Sequence, residues 1–151
     1  MIIIVTGTPC TGKTTYAKTL AQEKSFSYID VNEIIKKHNL SEGYDEKAHC
    51  EIIDTDKLND KLIEIIKMAN RSRKSLVIDS HLSHYLPSKY VDKCIVMRCT
   101  DLKELKKRLE KRGYDKLKVE ENIEAEIMES CLQDALQQSH KVEVIDTSEE
   151  I

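Results

Sequence analysis

A parallel α/β sheet covered on both faces follows from three observations in the 151 residues. Five short apolar, mostly β-branched runs alternate with stretches of helical spacing along the whole chain. A glycine-bounded loop follows the first run directly. Gly7, Asp79, Arg98 and Asp146 stand at the carboxyl ends of four runs, where ligands lie in open parallel sheets.

The first run, Ile2–Val5, ends in Gly-Thr-Pro and reads as a buried strand. Tyr16, Ala17, Leu20 and Ala21 then recur at helical spacing. Ser25–Val31 is a second strand, followed by a short helix through Ile34 and Ile35 that fades at His38-Asn39. Leu40–Glu51 is polar, carries Gly43 and Tyr44, and reads as an irregular excursion. Asp54 or Thr55 caps a helix with Leu58, Leu62, Ile65, Ile66 and Ala69 on one face. Ser75–Ile78 and Cys94–Met97 are the third and fourth strands. Leu102, Leu105 and Leu109 mark a helix that stops near Gly113. Ile123, Ile127, Cys131, Leu132 and Leu136 predict one long amphipathic helix, and Val142–Ile145 a fifth strand. The final Ser148-Glu-Glu-Ile reads as the first residues of a helix cut short.

Composition bounds the function. A chain of this length suits one domain with a single adequate core, and 40% hydrophobic with 34% charged residues is globular. The net charge of −3 argues against a chain that coats nucleic acid. Five cysteines without a C-x-x-C pair form neither a disulfide framework nor a zinc ribbon, so reduced thiols in a cytoplasm are expected. Ile2–Val5 is too short for a signal segment or a membrane span, and a soluble intracellular protein is expected.

The loop from Gly7 to Thr14 has the spacing G-x-x-x-x-G-K-T. Between a strand and a helix, such a loop turns successive backbone N–H groups inward and makes a nest for phosphate oxygens at the positive end of the helix. Gly12 permits the turn, Lys13 reaches the β- and γ-phosphates, the Thr14 hydroxyl binds Mg²⁺, and Thr15 holds the α-phosphate. Cys10 lies inside the loop. In a left-handed conformation a cysteine costs roughly 1 kcal/mol, which predicts retained nucleotide binding with reduced turnover.

Leu76-Val77-Ile78-Asp79 is an apolar strand tipped by a carboxylate, the Walker B arrangement, in which Asp79 orients the waters of Mg²⁺. His81 lies two residues beyond and is placed to orient a water or a phosphate. His81-x-x-His84 lacks further ligands at zinc spacing, so His84 reads as a packed or solvated side chain.

Together "GTPCTGKTT", "EGYDEKAHCEIID", "VIDSH" and "RLEKRGYDKLKVEENIEAEI" resemble the adenylate kinase isoenzyme six family, including its archaeal-type members, from residue 2 to about 146. The resemblance implies a P-loop nucleoside monophosphate kinase-like fold, a five-stranded parallel sheet with a short nucleoside-monophosphate segment at 30–53 and a short lid at 111–121. It also implies that Gly12, Lys13, Thr14 and Thr15 bind ATP with Arg112 of the lid, and that Asp79 and His81 form the modified Walker B pair. Cys10 replaces a glycine of that family. No arginine occurs in 30–53; Lys36 stands where a relative carries one, and Lys is the weaker planar clamp for phosphate. Asp30, Lys36 and Arg98 are the candidates for the acceptor, with Arg98 equally readable as a structural ion pair. The C-terminal helix usual in the family is absent or barely begun, which leaves an exposed edge.

Two function classes stay open on these grounds. One is an enzyme making two ADP from ATP and AMP with Mg²⁺. The other is an ATP-switched factor that binds a small-subunit ribosomal protein on a pre-ribosomal particle during rRNA maturation. Residues 103–118 hold eight basic residues against three acidic, a patch open to RNA but better read as a salt-laced helix face.

Overall fold

The computed structural model describes residues 1–47 and 50–149. Its strands are β1 (Ile2–Gly7), β2 (Ser27–Asp30), β3 (Ser41–Asp45), β4 (Cys50–Ile53), β5 (Leu76–Asp79), β6 (Lys93–Arg98) and β7 (Val142–Asp146). Its α-helices are α1 (Lys13–Lys24), α2 (Val31–Lys37), α3 (Thr55–Arg71), α4 (Leu102–Lys111), α5 (Lys116–Ile127) and α6 (Ser130–Gln137). Five strands pair in the order β2-β5-β1-β6-β7, every pair parallel, as the alternating pattern predicts. The chain leaves β1 toward one side of the sheet and returns past it to the other, so the carboxyl end of β1 lies at a reversal of strand order.

Alternation divides the strand residues between two apolar layers. Ile3, Val5, Val77, Ile95 and Met97 face α1, packing on Ala17, Leu20 and Ala21. Ile2, Ile4, Leu76, Ile78, Cys94 and Val96 face the other way, against Val31 and Ile35 of α2, Leu58, Leu62, Ile66 and Ala69 of α3, and Ala135 of α6. Each fully buried Leu or Ile contributes about 1.5–3 kcal/mol of transfer free energy, so the central strands are fixed from both sides. A third cluster of Cys99, Leu105, Leu109 and Val119 joins α4 to α5.

Aspartates set the helix starts. Asp30, Asp54, Asp101 and Asp115 each accept backbone N–H groups at the N-termini of α2, α3, α4 and α5, a contribution of about 1 kcal/mol apiece. Asp54, not Thr55, is the cap of α3. Gly113 follows α4 at φ 91° and closes it through a bond from its N–H to the Glu110 carbonyl.

Two expectations are corrected. Of the segment 40–51 read as irregular, Ser41–Asp45 and the start of Cys50–Ile53 are strands: β3 and β4 pair antiparallel with a register shift between Ser41 and Gly43. Its outer residues are largely exposed, so no apolar alternation marks it. Ala48 and His49 of this segment lie outside the described residues, as does the end of the terminal Ser148-Glu-Glu-Ile. The expected long helix over 123–136 is two helices. Glu129 turns left-handed at φ 55°, which ends the helical run, and the Glu126 carbonyl before it accepts both the Glu129 N–H at 3.1 Å and Arg98 Nη2 at 2.7 Å.

Candidate nucleotide site

The loop after β1 is held from within. Gly7 sits at φ 146°, where an added Cβ would stand 2.4 Å from the Met97 carbonyl oxygen. Only glycine lets the chain pass β6 at this point. Buried Thr11 donates its hydroxyl to the Thr8 carbonyl at 2.6 Å, and Gly12 at φ 87° opens α1. Lys13 Nζ reaches back to the same Thr8 carbonyl at 3.2 Å. Burial lowers the Lys13 pKa, and Asp79 nearby opposes that shift.

Cys10 occupies the left-handed region at φ 68°, the conformation that a glycine would adopt without cost. Its thiol contacts the Arg108 carbonyl at 3.7 Å and receives Arg112 Nη1 at 3.5 Å. Arg108 extends over the loop as well: Nη1 donates to the Cys10 carbonyl at 3.4 Å while Nε pairs with Glu104 at 3.2 Å. The loop and α4 thus enclose a cavity of about 480 Å³ lined by Cys10, Gly12, Lys13, Thr14, Thr15 and Arg112, among others.

Asp79 lies at the tip of β5, 5% exposed. Its Oδ2 accepts the Thr14 hydroxyl at 2.8 Å and the Tyr28 hydroxyl at 2.7 Å. Tyr28 is a contact that motif reading did not single out. Only the register of β2 on β5, which sets Tyr28 opposite Val77 and Asp30 opposite Asp79, brings it there.

A hydroxyl and a carboxylate form an all-oxygen donor set suited to a hard divalent cation. Among the described residues no group of three His, Cys, Asp or Glu side chains could hold a metal ion. The pair Thr14 and Asp79 therefore fits Mg²⁺ that takes most of its ligands from phosphates and water.

His81 stands at the mouth of a second cavity, about 470 Å³, formed with Asn32, Lys36, Glu51, Thr55 and Leu82. The residue as a whole is exposed. Desolvation there, with the charge of Lys13 added, lowers its pKa to about 4, so the imidazole is neutral at pH 7. Lys13 lines the first cavity and His81 the second. His84 is packed: it is 2% exposed, its Nδ1 bonds Thr6 Oγ1 at 2.7 Å, and its Nε2 lies 3.5 Å from Asp134.

The remaining acceptor candidates separate. Lys36 lines the second cavity. Asp30 spends its carboxylate on the Asn32 N–H at the start of α2. Arg98 is held by Glu126 at 3.3 Å and Glu129 at 3.6 Å, and does not line the second cavity. Glu126, 3% exposed, also accepts the Cys99 N–H at 2.8 Å and so ties α5 to the end of β6.

A family model described as an AAA domain matches residues 3–129. The adenylate kinase isoenzyme 6 homolog of Dictyostelium discoideum is 36% identical over 143 residues, 95% of this chain and 78% of that protein. The chain belongs to the adenylate kinase isoenzyme 6 family. A putative adenylate kinase of Methanocaldococcus jannaschii is 41% identical over 148 residues, covering 98% of this chain and 77% of that one. The Saccharomyces cerevisiae homolog FAP7 is 38% identical over 136 residues, 89% of this chain and 66% of that one. Among solved structures, the Bacillus subtilis YorR protein, crystallised with phosphorylated GDP, superposes with a TM-score of 0.64 at 17% identity, over 99% of this chain and 87% of that one. It shares the fold. The adenylate kinase isoenzyme 6 family thus accounts for the parallel sheet and for the loop that opens α1.

Proposed function

We propose that the chain is a nucleoside monophosphate kinase that transfers the γ-phosphoryl group of ATP to AMP, with a background ATPase activity. The observation that carries this reading is a pair of cavities, one lined by the phosphate loop and the other by Lys36 and by His81, two residues past the end of β5. A simple ATPase needs only the first. Residues 1–151 act as one domain, with the acceptor segment at 30–53 and the lid at 111–121.

Phosphoryl transfer depends on positioning and charge neutralisation. The backbone N–H groups of the loop, with Thr15, hold the ATP phosphates, and Lys13 meets the β- and γ-oxygens. Mg²⁺ bound through Thr14, and through water at Asp79, would neutralise charge that develops on the transferring group. Neutral His81 orients the acceptor or an attacking water, and Lys36 takes the acceptor phosphate. Closing the lid moves Arg112 from the Cys10 thiol onto the transferring phosphoryl and shuts out bulk water. Asp30 and Arg98 serve the scaffold, given the partners they already have.

Family membership supports a second role, as an ATP-driven factor in small ribosomal subunit maturation that contacts a small-subunit ribosomal protein. No described helix is long and apolar enough to cross a membrane, and the five free cysteines suit a cytoplasmic setting. The test is ADP formation from Mg-ATP with and without AMP, with Lys13→Ala as the blank. AMP-dependent turnover well above background supports the kinase. A Lys13-dependent ATPase that ignores AMP and responds to a ribosomal protein would replace it with the assembly-factor reading.

A further inference from the structure

The Tyr28 hydroxyl has no packing reason to exist. Its ring lies on the α1 side of the sheet, in the layer that also holds Phe26, Ala17 and Ala21, with the Lys18 ammonium 5.7 Å from the ring centre. A phenylalanine would fill that layer equally well, as Phe26 does two residues earlier on the same face. The hydroxyl instead ends 2.7 Å from Asp79 Oδ2, which already accepts the Thr14 hydroxyl at 2.8 Å.

Two donors on one oxygen fix the carboxylate's rotation. Among the described residues no protein group donates to Oδ1, and that oxygen is not sealed in the interior. It remains free to face the site. The Thr14 hydroxyl, with its proton directed at Asp79, turns its lone pairs the other way. We propose, on the reading given above, that Tyr28 is a positioning residue: its hydroxyl orients Asp79, and through it Thr14, so that both oxygens are preset for the Mg²⁺ of Mg-ATP.

The direction of the bond is secure. A phenol keeps its proton across the neutral range, and the Tyr28 hydroxyl donates it to Asp79 Oδ2 at 2.7 Å. Unlike Thr14, it sits on a strand, and that strand is registered on β5 itself. The distance between the two side chains is therefore set by the sheet ladder and not by the loop.

The test uses Tyr28→Phe in the full chain and titrates a non-hydrolysable ATP analogue calorimetrically, once with Mg²⁺ and once with EDTA. The expected result is unchanged affinity in EDTA and an Mg²⁺-dependent gain reduced about tenfold, the size of one hydrogen bond to a charged group. In turnover, kcat/KM for Mg-ATP should fall with the lost Mg²⁺-dependent gain. Asp79→Asn should remove the same gain, and the double variant should lose no more than Asp79→Asn alone. Equal weakening with and without Mg²⁺ would show a merely structural tyrosine and overturn the proposal, as would an unchanged Mg²⁺ gain. If the unsubstituted protein itself shows no Mg²⁺-dependent binding, the phosphate-loop reading falls and this role falls with it.

Discussion

Cys10→Gly replaces a loop residue held in the left-handed region, and the structure allows its effect to be worked out. At φ 68° the cysteine is in the left-handed region, and removing its Cβ relieves roughly 1–2 kcal/mol of steric cost. Against that, glycine loosens the unfolded chain by about 0.4–1 kcal/mol. The half-buried thiol also gives up its contact with the cluster of Cys99, Leu105 and Leu109, worth about 1 kcal/mol for a group of one heavy atom. The terms nearly cancel. Urea denaturation should place the variant within about 1 kcal/mol of the parent, and melting should shift by no more than about 4 °C for a chain of this size. Turnover should respond more clearly. The thiol holds Arg112 at 3.5 Å, a weak bond that the lid must break before the guanidinium can reach a phosphate. Losing a contact of about 0.6 kcal/mol raises kcat by roughly threefold, with ATP affinity changed less. A variant destabilised by more than about 2 kcal/mol, or one with turnover reduced, would refute this account of Cys10.

Gly7→Ala should be far more damaging: its Cβ would stand 2.4 Å from the Met97 carbonyl at φ 146°, so a loss above about 3 kcal/mol, or failure to fold, is expected by urea denaturation. The two histidines at the end of β5 give a pH dependence. Burial and His140 hold His84 below its ordinary value despite Asp134, and His81 lies at about 4. Both therefore bind protons in the unfolded chain before they do so in the folded one. Stability should be full above pH 6.5 and fall as the pH drops toward 5. His84→Asn should flatten that fall, whereas a parent protein equally stable at pH 7 and pH 5 would contradict it. Since His81 is neutral across this range, turnover should show no acid limb near pH 6.5. Glu126→Gln keeps the shape but weakens the hold on Arg98 and Cys99; a loss of about 2–4 kcal/mol is expected, and a change below about 0.5 kcal/mol would show that the pair carries no weight.

The sheet was legible because its three central runs, β1, β5 and β6, are buried on both faces and no other element competes for them. Loop residues Gly7 to Thr15 were legible because phosphate nests demand a fixed spacing. The β3–β4 pair was not, since most of its described side chains are exposed and no apolar alternation marks it. The break between α5 and α6 was hidden because it rests on a left-handed Glu129, a residue type that carries no turn signal. Likewise Tyr28 reads as an ordinary strand aromatic until the β2–β5 register sets it beside Asp79. Arg98, at a strand end facing the ligand side, is legible as a functional position, and only its ring of glutamates shows where its charge is spent.

The central claim is that one nucleotide lies on the phosphate loop while a second lies beside His81 and Lys36. Calorimetric titration with two adenosines joined through five phosphates tests this directly. The account predicts one molecule bound per chain, at least about a hundredfold more tightly than ATP, as expected when two sites are linked at matching span. Lys13→Ala and Lys36→Ala should each reduce that advantage. Binding no tighter than ATP, and indifferent to Lys36, would show that the second cavity holds no nucleotide.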